Sequence, residues 1–142
     1  MATVERSVTI NAPVEKIFSY ISNPRNELEW LPSVIDVRHI VGKGVGQRFS
    51  WTYKMIGIPF NGETSVAEYI PNELIVYETT GGIDSTWTWQ FKPVAGRTQL
   101  QLAVEYTIPV IVLGKVAEWV VLRRNEREAD MAITNIKERL ED

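Results

Sequence analysis

Three stretches of the chain alternate between large apolar and polar residues with a period of two. In residues 45–55 and 83–91 the odd positions are mostly apolar, and in residues 98–108 the even positions are. This period predicts β-strands with one buried face and one exposed face. The predicted buried faces carry Val45, Phe49, Trp51, Tyr53, Met55, Ile83, Trp87, Trp89, Phe91, Leu100, Leu102, Val104, Tyr106 and Ile108. These rings either fill a core or line a pocket.

The residues ahead of these strands predict one strand and two short helices. Residues 4–10 alternate, and Asn11 is a potential helix cap before Pro13, which suits a first helical turn. Apolar residues three and four apart within 14–21 predict a short amphipathic helix. Pro24 can then start a second short helix.

Turn signals divide the middle of the chain. Residues 34–41 are typical of a strand, and the glycine-rich residues 42–46 predict a turn into the next strand. Further turn signals follow at Asn61-Gly62, Pro71-Asn72, Gly81-Gly82 and Ala95-Gly96. The strands therefore follow one another as hairpins in an antiparallel meander.

The residues after Pro109 predict one long helix. Apolar residues recur there at helical spacing, namely Val116, Val120, Ala129, Ile133, Ile136 and Leu140. Arg124 and Glu128 are expected to pair, four residues apart, on the outside of this helix. The predicted fold is α+β: a curved antiparallel sheet of about seven strands around a long C-terminal helix, with two short helices after the first strand.

Composition narrows the classes of function. The chain has 142 residues, which suits one domain over residues 1–142, and its net charge of -3 argues against nucleic acid as a partner. It contains no cysteine, which excludes disulfides and thiolate sites. The N-terminus does not have the pattern of a signal peptide, so a cytoplasmic location is expected.

Several motifs resemble the START-like (SRPBCC) superfamily, which has the helix-grip or Bet v 1/START-like fold. They are Ile10-Asn11-Ala12-Pro13-Val14-Glu15-Lys16-Ile17-Phe18, then Ile21-Ser22-Asn23-Pro24, then Trp30-Leu31-Pro32. The resemblance covers nearly the whole chain and is greatest to the polyketide cyclase/dehydrase-like and coenzyme Q-binding-like branch. It implies a cavity between the sheet and the long helix that takes lipids, quinones, polyketides or other aromatic molecules. It does not imply which ligand is bound.

Given that cavity, one set of residues is expected to line it. The set is Phe49, Trp51, Tyr53, Glu63, Trp87, Trp89, Phe91, Leu102, Val104, Val116 and Val120. The alternative interpretation is that these side chains simply fill the core. No metal ligand set and no cofactor motif is predicted, because metal sites favour His or Cys clusters and the glycine run at 42–46 opens a strand instead of a helix.

A few polar residues are candidates for side chains that point into the cavity. They are Arg38, His39, Glu63, Glu68 and Glu78, and for each a position on the surface is the simpler interpretation. His39 is the single histidine of the chain. Arg123 and Arg127 belong to a helix face with interleaved acids, which favours a solvated surface over an anion site.

The segment between Ile108 and Leu122 is too apolar for one helix face. It includes Trp119 and Val121 and predicts either burial on several sides or a contact surface for a membrane or another protein. It is too short and too interrupted to cross a bilayer. The turn at residues 56–59, with Gly57 and Pro59, is expected to act as a flap.

The main functional hypothesis is binding or transport of a small hydrophobic molecule. The alternative is an aromatase/cyclase-like enzyme acting on a polyketide-type substrate, with Tyr53, Glu63 or His39 as acid or base. An interaction module without any cavity is a third possibility. An ionisable side chain buried in the cavity would favour the enzyme, and the sequence leaves the oligomeric state open.

Overall fold

The computed structural model describes residues 2–55, 57–81, 84–107 and 110–141, and the side chains of residues 2, 55 and 110–121 lie outside the description. The strands are β1 (Ala2–Ile10), β2 (Val34–Val41), β3 (Arg48–Met55), β4 (Ile58–Ile70), β5 (Leu74–Thr80), β6 (Ser85–Val94) and β7 (Arg97–Tyr106). The helices are α1 (Val14–Ile21), α2 (Glu27–Trp30) and α3 (Val110–Leu140), with a 3-10 turn at Pro24–Asn26.

The strands form one curved antiparallel sheet in the order β1-β7-β6-β5-β4-β3-β2. Strands β2 to β7 are joined in sequence as hairpins, and β1 pairs with β7. The connection that carries α1 and α2 therefore runs from one edge of the sheet to the other, between β1 and β2. The predicted α+β helix-grip fold is confirmed.

The predicted alternation holds in most of the sheet. In β7 every even position from Thr98 to Tyr106 is buried. Phe49, Trp89 and Phe91 are buried on the same inner face. Helix α3 packs against β1, β7 and α2, and it contributes Ala129 to the core. Ile83 and Ile108, expected on this face, lie outside the described residues.

Two local predictions are wrong. Val45 lies in the turn before β3 and is 66% exposed, because the strand begins only at Arg48. Asn11 does not cap α1. The cap position is Pro13, without a side-chain hydrogen bond, while the Asn11 backbone N–H donates to Glu141 Oε2 at 3.0 Å.

The predicted turn at Asn61-Gly62 is also wrong. Both residues lie within β4, where Gly62 pairs with Trp51 of β3. The turn lies earlier, at Gly57, whose φ is 75°. The expected flap at 56–59 is part of a strand at its second half, because Pro59 belongs to β4. Ile56 lies outside the described residues.

Candidate functional site

A cavity lies between the inner face of the sheet, α2 and α3. Its apolar lining consists of Trp30, Leu31, Val34, Trp51, Tyr53, Tyr77, Trp87 and Trp89. Its polar lining consists of Glu27, Ser33, Thr64, Thr79, Ser85, Arg124, Asn125 and Glu128. These side chains come from α2, from the segment between α2 and β2, from β2 to β6 and from α3, so the cavity lies where the long helix meets the sheet.

The cavity is small. Its volume is ≈ 80 Å³, counted as the space that the centre of a water-sized sphere can occupy. An apolar cavity of about 150 Å³ already holds benzene, and drug-sized pockets begin at about 300 Å³. The enclosed space is therefore smaller than a benzene site, and the cavity is also partly open to solvent.

Aromatic rings form most of the wall. Trp89 is fully buried and meets Trp30 of α2 edge to face, with ring centroids 5.5 Å apart. Trp30 also lies 6.3 Å from Trp87, which has part of its surface exposed. On β3 the rings of Trp51 and Tyr53 are 5.1 Å apart. These walls offer both ring faces and ring edges to a flat molecule.

Trp51 is fixed in place by two residues of the neighbouring strand. Its Nε1 donates a 2.7 Å hydrogen bond to Oγ1 of Thr64, which is 2% exposed. Its ring lies against Gly62, where an added Cβ would be 2.4 Å from Trp51 Cη2 and 2.5 Å from the Thr80 carbonyl oxygen. Glycine is required at position 62 because any side chain would collide with the ring and with the backbone.

Glu27 places a carboxyl group in the cavity wall. It begins α2, three residues before Trp30, so both side chains lie on the same side of this short helix. Part of the residue is exposed, but its Oε2 is buried and makes no hydrogen bond to any described residue. Burial raises the pKa of Glu27 to about 8, so the carboxyl is largely protonated at neutral pH.

Arg124 and Glu128 form a second polar group in the wall. Arg124 Nη2 lies 3.4 Å from Glu128 Oε1, 3.0 Å from Ser33 Oγ and 2.5 Å from the Lys54 carbonyl oxygen. Ser33 Oγ donates to Glu128 Oε1 in turn. Burial raises the pKa of Glu128, and the hydrogen bond from Ser33 and the charge of Arg124 partly offset this. The pair was expected on the outside of α3; that prediction is wrong, because this face of the helix covers the cavity.

Four residues of the set suggested by the sequence line the cavity, namely Trp51, Tyr53, Trp87 and Trp89. The other apolar members with described side chains are buried but belong to the filled core: Phe49, Phe91, Leu102 and Val104. Phe49 is covered by Tyr77 and Phe91 by Phe18 of α1, with ring centroids 6.4 Å and 5.1 Å apart. Helices α1 and α3 both pack on β7, the strand of Leu102 and Val104, which closes the space there.

The polar candidates lie elsewhere. Glu63 is exposed on the outer face of β4, since its neighbour Thr64 is the one that faces inward. His39, Glu68 and Glu78 are exposed too. The side chain of Arg38 is occupied on the outer surface, where Nη1 donates to Asp36 and Thr52 and Nη2 to Asn61. Of the acid or base residues considered from sequence, Tyr53 alone lines the cavity.

Part of the sequence-based set lies outside the described side chains. This holds for Val116, Val120, Trp119 and the rest of the contact segment before Leu122, which itself packs against the core as a half-buried residue. Within the described residues, no helix combines the length and the apolar character that crossing a bilayer requires. The same described ranges hold no group of three or more His, Asp or Glu that could bind a metal ion.

Residues 1–141 match the model of a family described as polyketide cyclase/dehydrase and lipid transport. The chain belongs to this family. Uncharacterized protein MT0096 of Mycobacterium tuberculosis (strain CDC 1551 / Oshkosh) is 30% identical over 95 residues, which is 65% of this chain and 42% of that protein. The chain thus spans less than half the length of this curated relative.

Solved structures share the fold of this family member. TTHA0849 from Thermus thermophilus superposes with a TM-score of 0.85 at 17% identity, over 98% of this chain and 97% of that one. The Zhui aromatase/cyclase from Streptomyces sp. R1128 does so with a TM-score of 0.82 at 18% identity, over 98% and 93% of the two chains. At these identities the likeness establishes the helix-grip fold, and the START-like resemblance of the sequence is confirmed.

Sequence reasoning missed several residues of the site. Glu27 and Trp30 were not in the set expected to line the cavity, although their spacing of three places them on one side of a helix. Tyr77, Thr79 and Ser85 were missed since their strand segments do not alternate strongly. For Arg124 and Glu128 the spacing predicted the pair correctly, but a spacing does not determine which face of a helix is buried.

Proposed function

We propose that this member of the family binds one small, mostly hydrophobic molecule in the cavity between the sheet and α3. The observation that carries the proposal is the cavity itself, lined by four of the chain's five tryptophans. Protein interiors are close-packed and rarely leave voids larger than a water molecule. A partly open void of this size with several rings in its wall is therefore a candidate site for a ligand.

The dimensions set the ligand class and its affinity. We expect a molecule of one or two rings that lies partly in the open side of the cavity, because a long acyl chain or a four-ring polyketide far exceeds the enclosed space. For a ligand of about ten non-hydrogen atoms, at about 0.5 kcal/mol each, the binding free energy is about -5 kcal/mol. This corresponds to a dissociation constant of about 200 µM.

The test is a titration with two-ring compounds, followed by isothermal calorimetry and by tryptophan fluorescence. Val34→Phe adds volume inside the cavity, since Val34 is a buried lining residue. Ile35→Phe is the matched control, because Ile35 is the next residue of β2 and is 51% exposed. Neither substitution adds a fluorescent tryptophan.

The proposal expects binding with one site per chain in the wild type and in Ile35→Phe, with quenched or shifted tryptophan emission. Affinity should fall at least tenfold in Val34→Phe, provided that circular dichroism shows the variant to be folded. Equal affinity of the two variants would place the ligand outside the cavity and overturn the proposal.

A second candidate function is acid–base catalysis on the bound molecule. The observation that favours it is the Glu27 carboxyl, which lines the cavity and holds its proton at neutral pH. In an enolisation, Glu27 would give its proton to a carbonyl oxygen while the Glu128 carboxylate takes a proton from the adjacent carbon. Both proton transfers are reversible and leave the two carboxyl groups ready for the reverse step.

Deuterium incorporation tests this second function without knowledge of the physiological substrate. In D₂O, catalysed enolisation of 2-tetralone would exchange the protons next to its carbonyl, which mass spectrometry detects. Glu27→Gln should abolish the acceleration, while Glu29→Gln, an exposed carboxylate on the same helix, should retain it. Exchange at the rate of the buffer alone in the wild type would reject the catalytic function and leave the binding function intact.

A further inference from the structure

The described wall of the cavity holds more acidic than basic side chains. Apart from its tyrosines, its ionisable residues are Glu27, Arg124 and Glu128. Arg124 lies 3.4 Å from Glu128, so the charges of these two residues cancel. Glu27 is therefore the acid that has no counter-ion among the described residues of the wall.

The Glu27 carboxyl remains accessible to a ligand on one side. Of its two oxygens, Oε2 is fully covered by protein and Oε1 is not, and the residue keeps part of its surface accessible beside the cavity. Burial raises the pKa of Glu27 to about 8, and no neighbouring charge or hydrogen bond contributes to this. A cation placed beside Oε1 would supply the counter-ion and let the carboxyl ionise.

Aromatic rings surround the same space. Trp30 follows Glu27 by three residues in α2, and its ring lies 5.5 Å from that of Trp89 and 6.3 Å from that of Trp87. Trp87 keeps part of its surface exposed. The faces of indole rings attract cations, and several rings around one void are typical of sites for ammonium groups. Rings next to an acid without a counter-ion favour a cation over an anion.

The size of the void suits a compact cation. Its volume is ≈ 80 Å³ for the centre of a water-sized sphere, and one water needs about 10–15 Å³ on this measure. The enclosed part therefore has room for an amino group and a few carbon atoms. The open side of the cavity can hold the rest of the molecule.

We propose that the cavity binds the protonated amino group of a small organic amine, held between the indole rings and the Glu27 carboxylate. This inference rests on the proposed binding function and narrows its ligand class. The ammonium group is the counter-ion that Glu27 lacks. As the cation enters, the Glu27 proton leaves to the solvent, so the charge of the site is conserved.

Binding of the amine should become tighter as pH rises. Below pH 8 the Glu27 carboxyl must lose its proton before it pairs with the amine, which itself stays protonated over this range. The affinity should therefore rise between pH 6 and pH 8, by up to about tenfold per pH unit.

The other ionisable groups around Glu27 are engaged elsewhere. Arg25, two residues earlier, is exposed on the surface. The elements packed around α2 contribute four further sets, namely Tyr77 bonded to the Ile21 carbonyl oxygen, Glu29 bonded to Tyr20, Asp36 paired with Arg38, and Arg124 paired with Glu128. The pH dependence of amine binding is thus assigned to Glu27.

The experiment compares 1-naphthylmethylammonium with 1-naphthalenemethanol, its neutral analogue of the same shape, by isothermal calorimetry at pH 8. We expect the amine to bind the wild type at least tenfold more tightly than the alcohol. Glu27→Gln cannot supply a counter-charge, and it should reduce the ratio of amine to alcohol affinity at least fivefold. Glu29→Gln, at an exposed acid of the same helix, is the matched control and should leave the ratio nearly unchanged.

A second measurement detects the released proton. Titrations at pH 7 in buffers of different ionisation enthalpy should show nearly one proton released per amine bound by the wild type. They should show almost none for Glu27→Gln and none for the alcohol. A merely structural role of Glu27 would not produce this difference.

The outcomes separate this inference from the proposed function. Equal affinity of the wild type for the amine and the alcohol would overturn the inference and leave the binding function intact. An unchanged ratio in Glu27→Gln would overturn it as well. No binding of the amine, the alcohol or chromone, a neutral two-ring compound, would overturn the proposed function and the inference together. The wild-type comparison decides the matter even if Glu27→Gln does not fold.

Discussion

The carboxylate of Glu128 and the guanidinium of Arg124 lie 3.4 Å apart across one turn of α3, in the wall of the cavity. Their side chains are only 16% and 29% exposed. Ser33 contacts both, so the group joins the long helix to the segment between α2 and β2. This arrangement holds the helix over the void and keeps its polar groups paired.

Removing one member of this pair should destabilise the protein. Arg124→Met leaves the Glu128 carboxylate half-buried without its counter-ion, so we expect a loss of about 2 kcal/mol in the free energy of unfolding. The double variant Arg124→Met/Glu128→Gln should recover part of this loss. Urea denaturation measures both, with Arg127→Met, an exposed arginine of the same helix, as the control. A loss in Arg127→Met equal to that in Arg124→Met would contradict the account.

The Glu27 carboxyl should make stability depend on pH. Its pKa is about 8 in the folded chain against 4.5 as the ordinary value, so folding takes up a proton between these two pH values. The wild type should therefore lose stability as pH rises from about 5 to about 8, by up to about 1.4 kcal/mol per pH unit. Glu27→Gln stays neutral and should flatten this dependence.

Denaturation midpoints measured at pH 5, 6, 7 and 8 test whether the stability of the wild type falls as pH rises. The variant should gain stability relative to the wild type at pH 8 and show little gain at pH 5. Glu29→Gln, a change at an exposed residue of the same helix, should keep the fall in stability that the Glu27 carboxyl produces. If the stabilities of the wild type and Glu27→Gln changed with pH in the same way, the Glu27 carboxyl would be ionised and solvated in the folded chain, which would contradict the prediction.

Gly62 should tolerate no side chain. Gly62→Ala places a Cβ within 2.5 Å of both the Trp51 ring and the Thr80 carbonyl oxygen, so we expect a loss of about 2–4 kcal/mol and weaker ligand binding. Gly96→Ala is the control. Its Cβ would meet nothing within 4 Å, and only the positive φ of 81° costs about 1 kcal/mol. A milder effect at Gly62 than at Gly96 would show that Trp51 moves aside freely.

The sequence predicted the order of elements because most strands of the sheet have one exposed and one buried face. The bounds of β2 and the start of α3 at Val110 agree with the pattern, since alternation and the absence of proline after Pro109 are strong signals. The turn at Asn61-Gly62 was wrong for a physical reason: that glycine makes room for an indole ring instead of bending the chain.

The cavity could be predicted only in part. Alternation identifies the inner face of a strand, but it does not tell which part of that face α1 and α3 cover. Trp89 and Phe91 are two residues apart on one strand, yet Trp89 lines the void while Phe91 packs under Phe18. The positions of Glu27 and Arg124 in the wall depend on how α2 and α3 pack on the sheet. No local pattern in the sequence predicts this packing.

The most direct test of the account is a ¹⁵N–¹H correlation spectrum of the indole N–H groups during titration with chromone. The chain has five tryptophans, and Trp30, Trp51, Trp87 and Trp89 line the cavity. We predict that the signals of these four tryptophans shift as the compound fills the cavity, and that the shifts are absent in Val34→Phe. Saturation of binding with all four signals unmoved would contradict the account.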